Sequence, residues 1–180
     1  MDRTVGAGDE PLEISLTVVE TFEQYYQRDY RSLVGLAYVL TGSQFVAEDL
    51  AQDALATAHK KWDTVANYDN PGAWVRRVMV NRSTSRFRKL KTEAKTLTSL
   101  RAFRQESIQP TEHHGDVWDA VRSLPTRQAQ VIALYYWNDL SLAQIADILE
   151  CGTETVKTHL KRARATLSTQ LDTFREQVGE

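Results

Sequence analysis

The feature that most constrains this sequence is a stretch near its C-terminal end, residues 141–167, which has the pattern of two amphipathic helices joined by a short turn. The first opens with a capping box, Ser141 and Gln144, and its apolar residues recur at helical spacing. The second has an apolar side and a cationic side, formed by Val156, Leu160, Ala163 and Leu167 and by Lys157, Lys161, Arg162 and Arg164. This arrangement predicts a helix-turn-helix that can enter the major groove of duplex DNA.

Any two amphipathic helices of a bundle can show this pattern, with the cations serving only as a solvated face. Two details favour DNA binding. Glu154 is the only acid between Gly152 and Leu171, whereas a solvated face usually mixes both signs of charge. The cations also alternate with short hydrogen-bonding side chains and a histidine, namely Thr153, Thr155, Thr158 and His159.

Lysines and arginines are concentrated in the middle of the chain, which the overall net charge of −2 conceals. Ten of them lie between residues 74 and 104 against a single acid, Glu93, so the rest of the chain is acidic. Such a segment predicts binding to a polyanion, because each neutralised phosphate releases a condensed counterion.

Upstream of this segment the sequence predicts a tail and three helices. Residues 1–15 are polar with scattered glycines, so we expect a disordered tail. Aromatic residues at helical spacing predict two helices over residues 17–40, with Asp29 capping the second, and their rings in the core. A third amphipathic helix is predicted over residues 43–62.

The outer side of that third helix is acidic. Asp49, Gln52 and Asp53 stand at positions i, i+3 and i+4, so they share one face of the helix. This face suits a basic partner, although a merely solvated surface would show the same pattern.

A loop followed by a cationic helix is predicted next. Residues 63–72 are dense in turn formers, and Pro71 or Gly72 opens a helix whose buried side includes Trp74. Tyr68 in the loop, beside the cations of the helix, suits unpaired bases, because cations hold the backbone while aromatic faces accept bases. The alternative is a generic basic surface beside a core tryptophan.

The remainder predicts a linker and a second helical domain. Residues 96–115 lose periodicity, and helices are predicted over residues 116–123 and 126–137, before the helix-turn-helix. No stretch alternates at period two, so we predict an all-α protein. It would have two small helical domains, residues 16–95 and 116–180, joined by a flexible linker.

Several classes of function are excluded or disfavoured. The one cysteine, Cys151, rules out an intramolecular disulfide and suits a reducing compartment. Without a signal-peptide pattern or an apolar span, we expect a cytoplasmic protein with no membrane insertion. No phosphate loop or zinc signature occurs, and His113–His114 lacks partners at ligand spacing, so we predict no enzyme, no cofactor and no metal.

Five motifs follow one another in order: residues 46–53 (VAEDLAQD), 71–81 (PGAWVRRVMVN), 124–128 (LPTRQ), 140–146 (LSLAQIA) and 155–160 (TVKTHL). Together they resemble the extracytoplasmic-function (ECF) sigma factors of bacterial RNA polymerase. The resemblance covers about residues 17–171 and implies a protein that binds the polymerase core and directs promoter recognition, DNA melting and transcription initiation.

The resemblance also implies roles for particular residues. The N-terminal domain would bind the clamp helices of the largest subunit of RNA polymerase through Asp49, Gln52 and Asp53. It would recognise and melt the minus-ten element with Asn67, Tyr68, Asn70, Arg76, Arg77, Asn81 and Arg82. The C-terminal domain would recognise the minus-thirty-five element with Thr155, Lys157, Thr158, Lys161 and Arg162. An anti-sigma factor is a further expected partner.

The sequence departs from the family pattern at two places. Glu150 stands where the family often has glycine, so we expect the turn to shift toward Gly152, and His159 stands where arginine is common. Two other functions compete. A stand-alone helix-turn-helix regulator binding duplex DNA as a dimer leaves the basic segment unexplained, and a site-specific recombinase requires an α/β domain upstream.

Overall fold

The computed structural model describes the backbone of residues 20–96 and 115–178 and the side chains of residues 20–86 and 117–170. These residues form helices and connecting turns without a strand, which confirms the all-α prediction. The helices are α1 (Phe22–Thr41), α2 (Gln44–His59), α3 (Trp62–Val65), α4 (Pro71–Thr96), α5 (Gly115–Ser123), α6 (Thr126–Tyr136), α7 (Leu142–Leu149) and α8 (Thr153–Val178). The predicted tail and nearly all of the predicted linker lie outside the described residues.

Helix α1 is one continuous helix, so the prediction of two helices divided at Asp29 is wrong. It begins with a capping box, in which Thr21 accepts from the Gln24 amide and the Gln24 side chain accepts in return. It ends at Thr41 and is capped by Gly42, whose φ of 72° lies in the left-handed region. Asp29 is buried in the middle of the helix, where its carboxylate pairs with Arg76 instead of capping.

Helix α2 is capped by Ser43 and ends at His59, earlier than predicted. The separate helix α3 follows because Trp62 turns back onto α1. Its indole Nε1 donates to the Glu20 carbonyl at 2.9 Å, and its ring lies 5.0 Å from the Tyr25 ring, centroid to centroid. The predicted core position of the aromatic residues is confirmed for Tyr25, which is fully buried, and is wrong for Tyr26, which is 40% exposed.

Helix α4 opens at Pro71, as predicted. The Asn70 side chain accepts from the Ala73 amide at 2.9 Å and so caps the helix, while Val75 and Met79 are fully buried. Helices α1, α2 and α4 pack against one another and form the N-terminal domain.

Helices α5 to α8 form the C-terminal domain, and its predicted helix-turn-helix is confirmed. Both bonds of the Ser141–Gln144 capping box are present, and Val156 on α8 is fully buried, with the other predicted apolar residues of α8 on the same side. The expected shift of the turn toward Gly152 is wrong. Helix α7 ends at Leu149, and its C-cap Glu150 itself adopts the left-handed conformation with φ 52° and ψ 50°.

The two domains pack against each other through α1, α4, α5, α6 and α7. Trp137 lies over Gly35 so closely that a Cβ on Gly35 would come within 2.4 Å of the indole. Beside it, Asn138 Nδ2 donates to Ser32 Oγ at 2.8 Å. The buried side chains of both domains consequently form one hydrophobic cluster.

Candidate nucleic-acid interface

The cationic side of α8 is exposed along its first turns. All five residues predicted to recognise the minus-thirty-five element are solvent-exposed there: Thr155, Lys157, Thr158, Lys161 and Arg162. Val156 and Leu160 anchor the opposite side of the helix in the core. Glu154 pairs with Lys157 at 2.5 Å, so part of the charge of that lysine is balanced when no DNA is present.

Arg164 continues this cationic side and is held by two tyrosines. Its Nε donates to the Tyr136 hydroxyl at 2.9 Å, and its guanidinium lies 5.3 Å from the centre of the Tyr135 ring. The hydrogen bond to Tyr136 raises the pKa of Arg164, which is already charged at neutral pH. A groove of about 350 Å³ opens beside it, lined by Tyr135, Leu142, Lys157, Leu160, Lys161 and Arg164.

The loop before α4 presents an aromatic ring and two amides to solvent. Tyr68 is 44% exposed, and its ring lies 6.5 Å from that of the half-buried Trp74. Asn67 and Asn70 are exposed as well, but both already serve the loop: Asn67 Nδ2 donates to the Asp63 carbonyl at 2.6 Å, and Asn70 caps α4. Of these three side chains, the ring of Tyr68 is therefore the one most available to contact a ligand.

Arg76 points into the N-terminal domain. Its Nη2 donates to Asp29 Oδ1 at 2.9 Å, and the two side chains are only 15% and 9% exposed. Burial, and after it the negative charge of Asp29, raise the pKa of the neighbouring Tyr25 hydroxyl. Arg76 therefore ties α4 to α1, and no local pattern in the sequence indicates this partner.

The acidic side of α2 and the basic side of α4 meet along one seam. Arg82 binds Asp53 at 2.9 Å and donates to Thr57 Oγ1 at 2.7 Å, and Arg86 pairs with Asp49. The carboxylates of Asp49 and Asp53 remain about half exposed. Gln52 and Asn81 are exposed too, so the predicted polymerase-binding and DNA-binding groups are neighbours.

The Arg77 side chain extends from α4 in the N-terminal domain and contacts the end of α7 in the C-terminal domain. Its Nη1 donates to Glu150 Oε1 at 3.0 Å, and its Nη2 donates to Asp147 Oδ1 at 3.1 Å and to the Asp147 carbonyl at 2.8 Å. A residue predicted to contact minus-ten DNA is thus joined to the helix-turn-helix.

Comparison with known proteins assigns the chain to a family. The family Sigma-70 region 2 matches residues 25–93, and Sigma-70, region 4 matches residues 114–167. The chain is 35% identical over 130 residues to an RNA polymerase sigma-E factor of Streptomyces antibioticus, covering 71% of either chain. The protein belongs to the ECF sigma factors. To the ECF RNA polymerase sigma factor SigW of Bacillus subtilis, this sigma factor is 29% identical over 151 residues, which cover 76% of this chain and 81% of SigW.

A solved structure agrees with this assignment. The sigma factor RpoE of Bartonella quintana, in complex with the anti-sigma factor NepR, is 28% identical and superposes with a TM-score of 0.72. The match covers 84% of this sigma factor and 96% of the RpoE chain. The region 2 match includes most of the basic segment that a stand-alone regulator left unexplained. Among the described helices, none is both long and apolar enough to cross a membrane.

Proposed function

We propose that this sigma factor binds the RNA polymerase core through α2, opens the minus-ten element with the loop before α4 and with α4 itself, and recognises the minus-thirty-five element with α8. The observation that carries the proposal is the exposed cationic side of α8, which follows a capped α7 in helix-turn-helix order. The domain boundaries predicted from the sequence, residues 16–95 and 116–180, are part of the proposal.

Recognition by α8 divides between phosphates and bases. Lys157, Lys161 and Arg162 would supply salt-dependent affinity and contact guanines, while the hydroxyls of Thr155 and Thr158 would contact base edges. A specific base contact contributes about 1 to 3 kcal/mol of discrimination, so two or three such contacts suffice for sequence preference.

Opening of the minus-ten element requires a different chemistry, because unstacking a base costs a few kcal/mol per step. Tyr68 offers a half-exposed ring on which an extruded base can stack, and Asn67 and Asn70 offer amide groups around it. Asn81 and Arg82 would hold the nearby backbone. Arg77 would join them once it is released from α7.

The surface that would bind the polymerase core is the acidic side of α2. Asp49, Gln52 and Asp53 would bind basic side chains of the clamp helices of the largest polymerase subunit. Arg86 and Arg82 hold the two carboxylates in fixed positions, which lowers the entropy lost on binding.

Replacing Asp49 and Asp53 together with asparagine is expected to weaken binding to core polymerase roughly tenfold, because two exposed charge contacts are lost. Asparagine avoids the repulsion that a lysine would create with Arg82 and Arg86. Affinity is measured by titrating labelled protein with purified core. The matched control Glu23→Gln with Asp63→Asn removes two exposed acids elsewhere, and an equal loss in both double variants would contradict the assignment.

Two further properties belong to the proposal. The similar sigma factor RpoE is held by an anti-sigma factor in its solved structure, which supports an anti-sigma partner for this chain. We also propose that the protein acts in the cytoplasm as an initiation factor without catalytic activity, cofactor or metal of its own.

Run-off transcription with purified bacterial core polymerase tests the proposed function. Added protein is expected to co-purify with core and to start transcripts at promoters that core alone ignores. If the protein instead binds duplex promoter DNA as a dimer and has no effect on core, the regulator is the correct assignment and the sigma function is wrong.

A further inference from the structure

Phe45, in the first turn of α2, is the most exposed large apolar residue in the part of the chain that the structure describes. It is 76% exposed, whereas the next most exposed, Tyr136, is 55% exposed. Each of the other exposed aromatic residues among the described side chains contacts a second ring, but Phe45 contacts none and is not packed against the core. The ring of Phe45 therefore contributes little to the fold, and its apolar surface is available for burial against a partner.

The Phe45 side chain lies on the same side of α2 as the acidic residues proposed to bind the polymerase. Five residues follow one another there at alternating steps of four and three: Phe45, Asp49, Gln52, Ala56 and His59. This spacing is close to the period of the helix, so the five positions form one stripe along α2. Gln52, Ala56 and His59 are exposed, and the Asp49 side chain is 47% exposed. The stripe is thus open to solvent along its whole length.

The other end of the stripe is also aromatic. The His59 ring lies 4.7 Å from the Phe22 ring, centroid to centroid, and the Phe22 ring lies 6.1 Å from that of Tyr26, which is 40% exposed. Phe45 and His59 are separated by a distance of about 21 Å along the helix axis, at a rise of roughly 1.5 Å per residue. Helix α2 therefore presents aromatic surface at both ends of the stripe and carboxylates between them.

These features indicate which kind of partner fits the stripe. Alternating steps of four and three residues are the spacing with which two helices pack lengthwise, at a crossing angle of about 20°. Ala56 is the smallest side chain of the stripe and permits a close approach at that point. Asp49 and Asp53 stand beside the stripe with half-exposed carboxylates, so they attract basic side chains and repel the phosphates of DNA. The fitting partner is a basic helix of about four turns with apolar surface near its ends.

We propose that one helix of the polymerase clamp lies lengthwise along the stripe from Phe45 to His59, and that Phe45 is the apolar anchor of this contact. The partner helix presents basic side chains to Asp49 and Asp53 and an apolar pocket to Phe45. A buried aromatic side chain rimmed by charged groups commonly provides much of the affinity of an interface. The inference rests on the proposed function and adds to its acidic contacts an apolar one at the start of α2.

Replacing Phe45 with alanine is expected to weaken binding of the full-length protein to purified core polymerase about 30-fold, because an exposed ring becomes buried on binding. Phe45→Leu keeps most of the apolar surface and is expected to bind within about threefold of the wild type. The fold is retained in both variants, since the ring packs against no other described ring. Val117→Ala is the matched control, because it removes an exposed apolar side chain from α5, and it is expected to bind like the wild type.

Salt distinguishes the apolar anchor from the acidic contacts. Charge contacts at the surface are screened as the salt concentration rises, whereas burial of an apolar ring is not. The loss of affinity caused by Phe45→Ala is therefore expected to be equal at roughly 0.1 and 0.5 M salt. The loss caused by Asp49→Asn with Asp53→Asn is expected to shrink over the same range. If Phe45→Ala binds core as tightly as the wild type, or if its loss also shrinks with salt, Phe45 is not an apolar anchor.

Crosslinking tests the lengthwise fit. A photoreactive phenylalanine analogue is placed at position 45 in one variant and at position 59 in another. Both are expected to crosslink to one helix of the largest polymerase subunit, at sites about 14 residues apart, which corresponds to the length of the stripe. Crosslinks within one turn of each other would show that the two helices cross, and crosslinks from position 45 to a second copy of this protein would show a different occupant. Either result overturns the proposed docking.

Failure of the proposed function is a separate result. In that case the wild type would not bind core polymerase, and neither analogue would crosslink to it. If the wild type binds core and loses affinity in the Asp49→Asn with Asp53→Asn variant but not in Phe45→Ala, the acidic contacts stand and the apolar anchor is wrong.

Discussion

Replacing Asp29 with alanine is expected to lower the free energy of unfolding by about 3 kcal/mol, because it leaves the charge of Arg76 buried without a partner. The two side chains are 9% and 15% exposed, and the contact joins α1 to the start of α4. Chemical denaturation of the full-length protein, followed by circular dichroism, measures the change.

Two further variants distinguish the effect of losing a buried ion pair from a general effect of losing charge. Arg28 also contacts Asp29, but its side chain is 59% exposed, so Arg28→Ala is expected to cost less than about 1 kcal/mol. Asp29→Ala combined with Arg76→Met is expected to be more stable than Asp29→Ala alone, because no unpaired charge remains. If Asp29→Ala costs no more than Arg28→Ala, the pair with Arg76 does not stabilise the domain as described.

Asp29 also shows where the sequence was insufficient. Aspartate is a common N-cap residue, so an aspartate within a helical pattern predicts the start of a new helix. The residue that determines its role, Arg76, is 47 positions away in the sequence and meets it only after α1 and α4 pack. Local helix propensity depends only on nearby residues, so it cannot predict such a distant partner. For the same reason the sequence does not predict that Arg76 joins α4 to α1.

The helix-turn-helix could be predicted because its signals are local. The capping box uses two residues three positions apart, and the buried side of α8 repeats at helical spacing from Val156 to Ala163. The exposed side follows from the buried one by geometry. This is why the five residues predicted for the minus-thirty-five element all lie at the surface, while their contacts with DNA remain a prediction.

Contacts between the domains had no local signal. The family resemblance implies that Arg77 contacts DNA, and only the packing of α4 against α7 brings it to Glu150. The sequence predicts a turn at Gly152, because glycine most easily adopts a positive φ. Glu150 adopts the positive φ instead, and its carboxylate accepts a hydrogen bond from Arg77 at 3.0 Å, so the residue that departs from the local preference makes a contact between the domains.

Replacing Lys157 and Arg162 together with alanine is expected to lower the affinity for a duplex carrying the minus-thirty-five element about 100-fold, which corresponds to about 2.7 kcal/mol. Both side chains are exposed on α8, so truncation should leave the fold intact. Loss of Lys157 also leaves Glu154 without its partner, and that unpaired carboxylate would then repel the phosphates. Fluorescence anisotropy at fixed ionic strength measures the affinity.

The salt dependence of binding distinguishes what these two cations contact. If both neutralise phosphates, the slope of log affinity against log salt should fall by about 1.8, and specific and scrambled duplexes should lose affinity equally. If one contacts a base, the specific duplex should lose more and the slope should fall by only about 0.9. The control variant Arg31→Ala with Lys60→Ala removes two exposed cations from the N-terminal domain. An equal loss in that control would show that net charge, and not the surface of α8, determines binding.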